Sequence, residues 1–542
     1  MLIIKFLSPL IMNLKTKNSN NLKFLLILFS LFFVIFVFTS DGHRFTFDED
    51  VAAQQSKRIA TLSPDPIYVE GESRLFFEYP WLFPPEHNER QICQNAILCS
   101  QGMIMHSLTE APFIFINHNL GIITAGELWT SEDFDDFHYI TWRNSIDPDF
   151  TFMELFYAPF FSALSICALF LISKTYGYSV KTSLILVFLF SLSTTFWAYT
   201  QTSLNVVPFI FFILIGFFFY RKFQKTNSHF NLILTGIFFG LGFLTRQDML
   251  VLIIPFFVFI LITSFRKNPK LKTFVKTFLS FVIPAVSSYV ITQIIRHVRV
   301  GDIPEGSRPP VMVIATDIAI GATNEPILER MFGLLFSPGA GLFIYAPILF
   351  TCFVGFFDFY KKNKSDCILF LSFIGILATF FAAGNNWHGF NGWGSRYMLP
   401  VIPFLMIPIA ASIEKRMHFS FKISVIFLGI AGFLINLVYL LQDVSYFVWG
   451  LFGSDERGLY SLARKAEGGV FDLWINPVII WTFEFSQIVQ STMMLLVKPQ
   501  LDLFLFKILG IELFLVCLVS TISILFYMLV KLSRNYTVEQ KL

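Results

Sequence analysis

Charge is what this chain has least of. Only 14% of its 542 residues are Asp, Glu, Lys or Arg, against 55% hydrophobic residues and 70 Phe. A soluble domain carries roughly a quarter charged residues, so that class is excluded and the composition is that of an integral membrane protein. Cysteine is scarce too. Of six, Cys167, Cys352, Cys367 and Cys517 fall in or at the edge of apolar runs, where they pack as small apolar residues. Cys93 and Cys99 lie in a polar stretch without the His partners of a zinc site; a local disulfide and two free thiols both remain open. No internal repeat and no low-complexity tract is visible. The net charge of +3 gives no reason to expect nucleic acid as a partner, because the basic residues serve another purpose.

That purpose is topology. A helix needs about 20 apolar residues to cross about 30 Å of hydrocarbon. By this measure spans fall near 22–39, 152–173, 182–199, 203–220, 230–245, 249–265, 274–294, 334–358, 367–383, 397–413, 421–441 and 504–530. The expected fold is all-α, with about twelve transmembrane helices. Lys15, Lys17, Lys174, Lys181, Arg221, Lys222, Arg266, Lys267, Lys361, Lys362, Lys415, Arg416, Lys531 and Arg534 all fall on one side of this arrangement. Lys and Arg in short loops mark the cytoplasmic side, so both termini are expected there, in a plasma membrane crossed many times.

The chain then divides into a cytoplasmic segment 1–21, a membrane module 22–441, an outer loop 442–503, and a last span with its tail, 504–542. A long outer loop, 40–151, belongs to the module and is expected to carry helices on the bilayer surface. One of these is Asp48–Leu62, with Val51, Ala52, Gln55, Ile59 and Leu62 on a loosely apolar face, ended by Ser63-Pro64. Segment 473–497 is interrupted by Glu484 and Gln487 and reads as interfacial. Thr39-Ser40-Asp41 offers no small-x-small cleavage site, so the first span reads as an uncleaved anchor.

Four stretches have the residues for chemistry. Asp48-Glu49-Asp50 sets three carboxylates side by side. Crowded acids at a membrane surface stay in open water as an acidic first helix turn, act as a base, or hold Mg²⁺ or Mn²⁺ through oxygen ligands. The second stretch is 384–397, with four glycines, Trp387, Trp393, His388, Arg396 and Tyr397. Glycine lets a backbone approach a ligand, Trp offers a stacking face, and His and Arg donate to phosphate oxygens. In the third, Leu244-Thr-Arg-Gln-Asp248, Arg246 either contacts a substrate or pairs with Asp248. The fourth, 333–347, is a Gly-rich helix entry that either binds an anion through open backbone N–H groups or packs helices.

In this order, these stretches resemble the GT-C superfamily of polytopic glycosyltransferases. The branch is the prokaryotic one related to dolichyl-phosphate-mannose protein mannosyltransferases and lipid-A aminoarabinose transferases (family 39-like). The resemblance rests on Asp48-Glu49 after the first span, Phe196-Trp-Ala-Tyr-Thr200, Gly236 through Leu244-Thr-Arg246, Leu335-Phe-Ser-Pro-Gly339 with Gly341-Leu-Phe-Ile-Tyr345, and Trp387-His-Gly389 leading to Gly394-Ser-Arg-Tyr397 and Pro400. It implies a polyprenyl-phosphate sugar donor held among membrane lipids, and a protein, lipid or glycan acceptor at the outer face. It implies Asp48 as catalytic base with Glu49 beside it, and Arg396 as phosphate clamp, with Arg246, His388, Trp387 and Tyr397 around it. Asp50 departs from the pattern: Asp48-x-Asp50 looks like the metal-binding element of oligosaccharyltransferases in the same superfamily. Two other classes compete, a secondary transporter or lipid flippase and a catalytically inactive assembly subunit. Charged sites near the midplane and repeated halves mark transporters, and this sequence has its ionisable residues in loops and no repeat.

Overall fold

The computed structural model describes residues 19–44, 47–62, 104–125, 147–246, 250–267, 269–300, 326–384, 387–389, 392–415, 418–442, 480–497, 501–534 and 536. Among them the regular structure is helical throughout: α1 (Ser19–Phe38), α2 (Phe47–Ala60), α3 (Ile104–Leu120), α4 (Pro148–Thr175), α5 (Val180–Leu192), α6 (Val206–Thr226), α7 (His229–Thr245), α8 (Leu250–Lys267) and α9 (Leu271–Val300). The second half contributes α10 (Ile327–Phe336), α11 (Leu342–Tyr345), α12 (Cys352–Lys362), α13 (Lys364–Ala382), α14 (Ile402–Glu414), α15 (Phe419–Leu441), α16 (Gln487–Val497) and α17 (Phe504–Ser533). Among the described residues nine helices are long and apolar enough to cross a membrane.

The remaining three of the twelve expected spans are short or broken, two of them for a local reason that the sequence shows. Helix α5 stops at Leu192 because Ser193, Thr194 and Thr195 follow, and their hydroxyls compete with the backbone. Thr194 Oγ1 donates to Phe190 O at 2.6 Å and accepts from Phe196 N at 3.3 Å. Residues 198–200 then make a single 3₁₀ turn. Helix α7 has 17 residues. The 334–358 span divides into α10, α11, a 3₁₀ turn and α12, because Ser337 precedes Pro338 and sits extended at φ −70°, ψ 148°.

Antiparallel alternation holds along the chain, and contacts at both ends establish it. At one end Arg221 on α6 meets Asp366 on α13 at 2.6 Å, Ser179 before α5 meets Glu414 on α14 at 2.9 Å, and Lys415 meets Asp358 on α12 at 2.8 Å. Tyr536, past α17, packs on Phe24 near the start of α1 with ring centroids 4.9 Å apart, so the chain begins and finishes its described course at this basic end. The opposite end collects the stop of α1, the starts of α4 and α17, and the 193–205 segment. There Trp197 Nε1 donates to Thr39 Oγ1 at 3.3 Å, and Phe504 N to Ser40 O at 3.1 Å.

Packing is close where glycine faces a backbone. A Cβ on Gly355 of α12 would sit 2.6 Å from the Pro408 backbone of α14. Gly355→Val is therefore expected to cost about 1–3 kcal/mol by overpacking, read as a lower midpoint of thermal aggregation in detergent. An unchanged midpoint would mean that α12 and α14 do not meet there.

Candidate active site

Two short helices, α2 and α3, close the end opposite the basic one. Lys57 on α2 fastens them to α4 by bridging Asp147 and Asp149, the latter at 3.2 Å, and the Asp149 carboxylate also takes bonds from Asn117 at 3.0 Å and His118 at 3.1 Å on α3. The inward face of α2 is polar rather than loosely apolar. Ala52 and Ala53 are buried together with Glu49, Gln55 and Ser56, whereas Leu62 is 88% exposed. Small and polar residues face α3 there because α3 presents polar partners of its own. Ser56 Oγ donates to Glu110 Oε2 at 2.6 Å, and Ser107 Oγ to Gln55 Oε1 at 2.7 Å.

Beneath α2 lies a group of buried acids. Glu49 and Glu110 are 0% exposed and Glu154, on α4, is 1% exposed, with Arg44 and His106 buried beside them. Glu154 Oε1 accepts from Ser203 Oγ at 2.9 Å, and His106 Nε2 lies 2.9 Å from Glu110 and 2.6 Å from Ser203 O. Burial works against the imidazolium of His106, but the Glu110 carboxylate outweighs it and raises the pKa above its ordinary value. The Arg44 guanidinium stacks over Phe150 at 4.1 Å, within electrostatic reach of Glu154. Arg44, and His106 at 2.9 Å from Glu110, offset part of the cost of burying so many carboxylates at one place.

A second buried set lies next to it. Asp41 and His43 flank Gly42, whose φ of +76° suits glycine and where a Cβ would fall 3.0 Å from the Phe504 ring. His43 Nε2 reaches both oxygens of Asp502, at 2.9 and 3.0 Å, and its Nδ1 lies 3.9 Å from Asp41. Burial, with Asp502 and Glu49 adding to it, holds the Asp41 carboxyl well above the usual range despite the attraction of His43. These three side chains have ligand atoms within 4.8 Å of one another and are a donor set of the kind a divalent cation takes. The contact of His43 Nε2 with both Asp502 oxygens ties the start of α17 to the turn after α1.

Across the 193–205 segment stands the cationic side. Tyr199, Arg246 and Arg396 lie close enough that both guanidinium charges act on the tyrosine, whose own burial raises its pKa. Arg246 donates to Asn205 Oδ1 at 3.0 Å, and Tyr199 OH donates to Trp393 O at 3.4 Å. Arg396 lies 5.1 Å over the Tyr397 ring, which stacks on Phe381 at 4.1 Å. Glycine is required around it: a Cβ on Gly389, at φ +64°, would fall 2.8 Å from Arg396 Cγ, and one on Gly392 would fall 2.4 Å from Tyr199 OH. His388 is buried, and burial together with the Arg396 charge pushes its pKa down to about 4. One segment thus joins both sides, with Ser203 on Glu154, Gln201 on Thr39 O at 2.5 Å, Tyr199 by Arg396, and Asn205 on Arg246.

Of the residues expected from sequence, Glu49 is in the acid group, and Arg246, Arg396, His388 and Tyr397 gather on the cationic side. Trp387 packs into the space left by Gly333, where a Cβ would approach its ring to 2.3 Å. Asp48 and Asp50 lie on α2, but their side chains, like Asp248, Cys93, Cys99 and most of loops 40–151 and 442–503, fall outside the described residues. In the Gly-rich stretch 333–347, Gly339 N donates to Ile480 O at 2.9 Å, Gly341 N to Ser337 O at 2.8 Å and Ala340 N to Ser337 Oγ at 3.1 Å, so these three backbone donors are taken by the protein itself. The sequence reading missed Arg44, His106, Glu110, Glu154, Asp41, His43 and Asp502. For Glu154 a signal existed: an acid inside an apolar span is a functional marker by default.

Residues 153–291 match the dolichyl-phosphate-mannose-protein mannosyltransferase family, in line with the resemblance drawn from the motifs. The match covers about a quarter of the chain, from α4 into α9, and includes Glu154, the 193–205 segment and Arg246. No curated protein matches the chain. The coarse assignment is a multi-pass membrane protein with a glycosyltransferase family signature.

Proposed function

We propose that this protein transfers a sugar from a polyprenyl-phosphate donor to an acceptor at the end of the bundle closed by α2 and α3. The observation that carries the reading is the juxtaposition of buried carboxylates and a two-arginine group on either side of one segment, residues 193–205. That is what a displacement at an anomeric carbon needs: an acid–base group on the acceptor side and fixed positive charge for the departing phosphate. In the reaction, Asp48 takes the proton of the acceptor O–H, and the oxygen attacks the anomeric carbon. The bond from that carbon to the phosphate oxygen breaks, and polyprenyl phosphate leaves with the electron pair, clamped by Arg396 and Arg246. A single displacement inverts the anomeric centre. A lipid donor reaches this site sideways through the bilayer. The basic loops at the opposite end support a site outside the cytoplasm, since Lys and Arg in short loops favour the cytoplasmic side.

Two arginines supply the charge that a metal would otherwise supply to the phosphate, so the reading is of transfer without a required cation. Purified protein incubated with radiolabelled polyprenyl-phosphate sugars is expected to release label from the lipid, at a rate within about twofold of normal in EDTA, since the Arg–phosphate contacts survive chelation. No release from any such donor would sink the function. Loss in EDTA restored by Mn²⁺ would instead give a cation to Asp48 and Asp50 or to the Asp41–His43–Asp502 set.

A further inference from the structure

The basic end of the bundle holds a cavity of about 590 Å³ between α6, α7, α8 and α9, lined among others by Gln224, Asn227, His229, Lys267, Thr273 and Thr277. Four helix ends meet there. Helices α6 and α8 finish at Thr226 and Lys267 while α7 and α9 begin at His229 and Leu271, so two negative and two positive dipole ends offset each other. The side chains therefore set the sign of the cavity. Among the described residues its lining includes Lys267 and His229 and no Asp or Glu. The buried acid nearby, Asp366, is already paired with Arg221 at 2.6 Å.

Thr277 is the informative residue. It is 1% exposed, yet among the described residues its Oγ1 has no hydrogen-bond partner. A helical threonine ordinarily bonds its hydroxyl back to the preceding turn, as Thr235 does to Asn231 O at 2.9 Å and Thr263 to Phe259 O at 2.8 Å. A buried hydroxyl without a partner costs free energy, and a ligand oxygen brought up to it from the adjoining cavity would remove that cost. Lys267 Nζ donates to Asn227 Oδ1 at 2.7 Å and to Gln224 O at 3.3 Å, and an ammonium has a third proton to give. A cation, a set of hydroxyl and amide donors and no acid make a receptor for an anion with several oxygens.

We propose that this cavity binds a phosphate ester, the chemistry shared by an anionic phospholipid headgroup and a soluble phosphate compound. It lies at the end opposite the carboxylates and arginines of the candidate active site, so it is separate from the donor site and does not depend on the transfer reaction. The full chain is reconstituted in nanodiscs of phosphatidylglycerol mixed with phosphatidylcholine, and retained lipid is counted by native mass spectrometry. Thermal shift with glycerol 3-phosphate in detergent is the soluble arm. Retention of phosphatidylglycerol over phosphatidylcholine by about tenfold, worth one decade of affinity, is expected from the lipid source; a saturable shift with glycerol 3-phosphate alone would identify the soluble source. Either response must be lost in Lys267→Gln with Thr277→Val, and in the cavity-filling Ser264→Phe, and kept in Lys422→Gln on α15. Those variants are scored only where their size-exclusion profile matches that of the unaltered protein. Equal retention of both lipids with no shift, or a response indifferent to both sets of substitutions, overturns the proposal.

Discussion

Asp48→Asn is expected to lower sugar transfer by about 10³- to 10⁴-fold, the upper range for removal of a positioned general base, with folding and membrane insertion intact. An amide at that place cannot take the proton of the acceptor. Glu49 is the weaker candidate because it is fully enclosed. That carboxylate is 0% exposed on the inner side of α2, where its charge acts on Asp41, on His106 of α3 and on Glu154 of α4. An acceptor hydroxyl would have to open the α2–α3 contact to reach it. Glu49→Gln keeps the shape and removes one of several buried charges, so a loss of about tenfold is expected, in line with a one-unit electrostatic change on a neighbouring group. The ranking is the test. If Glu49→Gln costs more than Asp48→Asn in the label-release assay, Glu49 is the base and the packed α2–α3 contact must open in each cycle. If both keep normal turnover, the base lies elsewhere in the acid group, with Glu154→Gln the next variant to measure.

Much of the architecture could be read from the sequence because two strong physical signals carry it. Apolar runs locate the helices, and lysine and arginine alternate between their ends, so the antiparallel order seen in the Arg221–Asp366 and Trp197–Thr39 contacts was already implied. The breaks at Ser193–Thr195 and Ser337–Pro338 were less legible, since hydropathy averages over them while the hydroxyls and the proline act on single turns. The candidate site was half legible. Arg396, His388 and Arg246 stand out because glycines and tryptophans surround them or because they end a span. The His43–Asp502 pair joins residues 459 positions apart, and nothing local in a single sequence points from one to the other. Glu154 is different: its oddity inside an apolar span was visible, and only its partners, Ser203 and Arg44, needed the fold.

Arg396→Ala is the other substitution with a large expected effect. The departing phosphate gains charge in the transition state, so a guanidinium aimed at it is worth more there than in the bound donor, and its loss should lower kcat by about 10²- to 10³-fold. Donor KM should rise as well, because the ground-state phosphate also loses a charged hydrogen bond. Arg396→Lys should recover only part of the rate, since an ammonium cannot reproduce the planar two-pronged contact. His388 gives a readout independent of turnover. Its pKa is pushed down to about 4 by burial and by the Arg396 charge, so at neutral pH it is an uncharged donor and acceptor and contributes no limb to the pH–rate profile between pH 5 and 8. Removing the arginine takes away the second cause, and the His388 titration followed by NMR should move upward toward its ordinary value. The sign for stability follows from linkage. The unfolded chain protonates this histidine near its ordinary value of 6.5 and the folded chain only near 4, so its contribution to stability is intact above pH 6.5 and falls as pH drops toward 4. Arg396→Ala should shrink that acid sensitivity while it slows transfer. A variant that slows transfer but leaves the His388 titration in place would separate the arginine from the histidine and take the clamp apart.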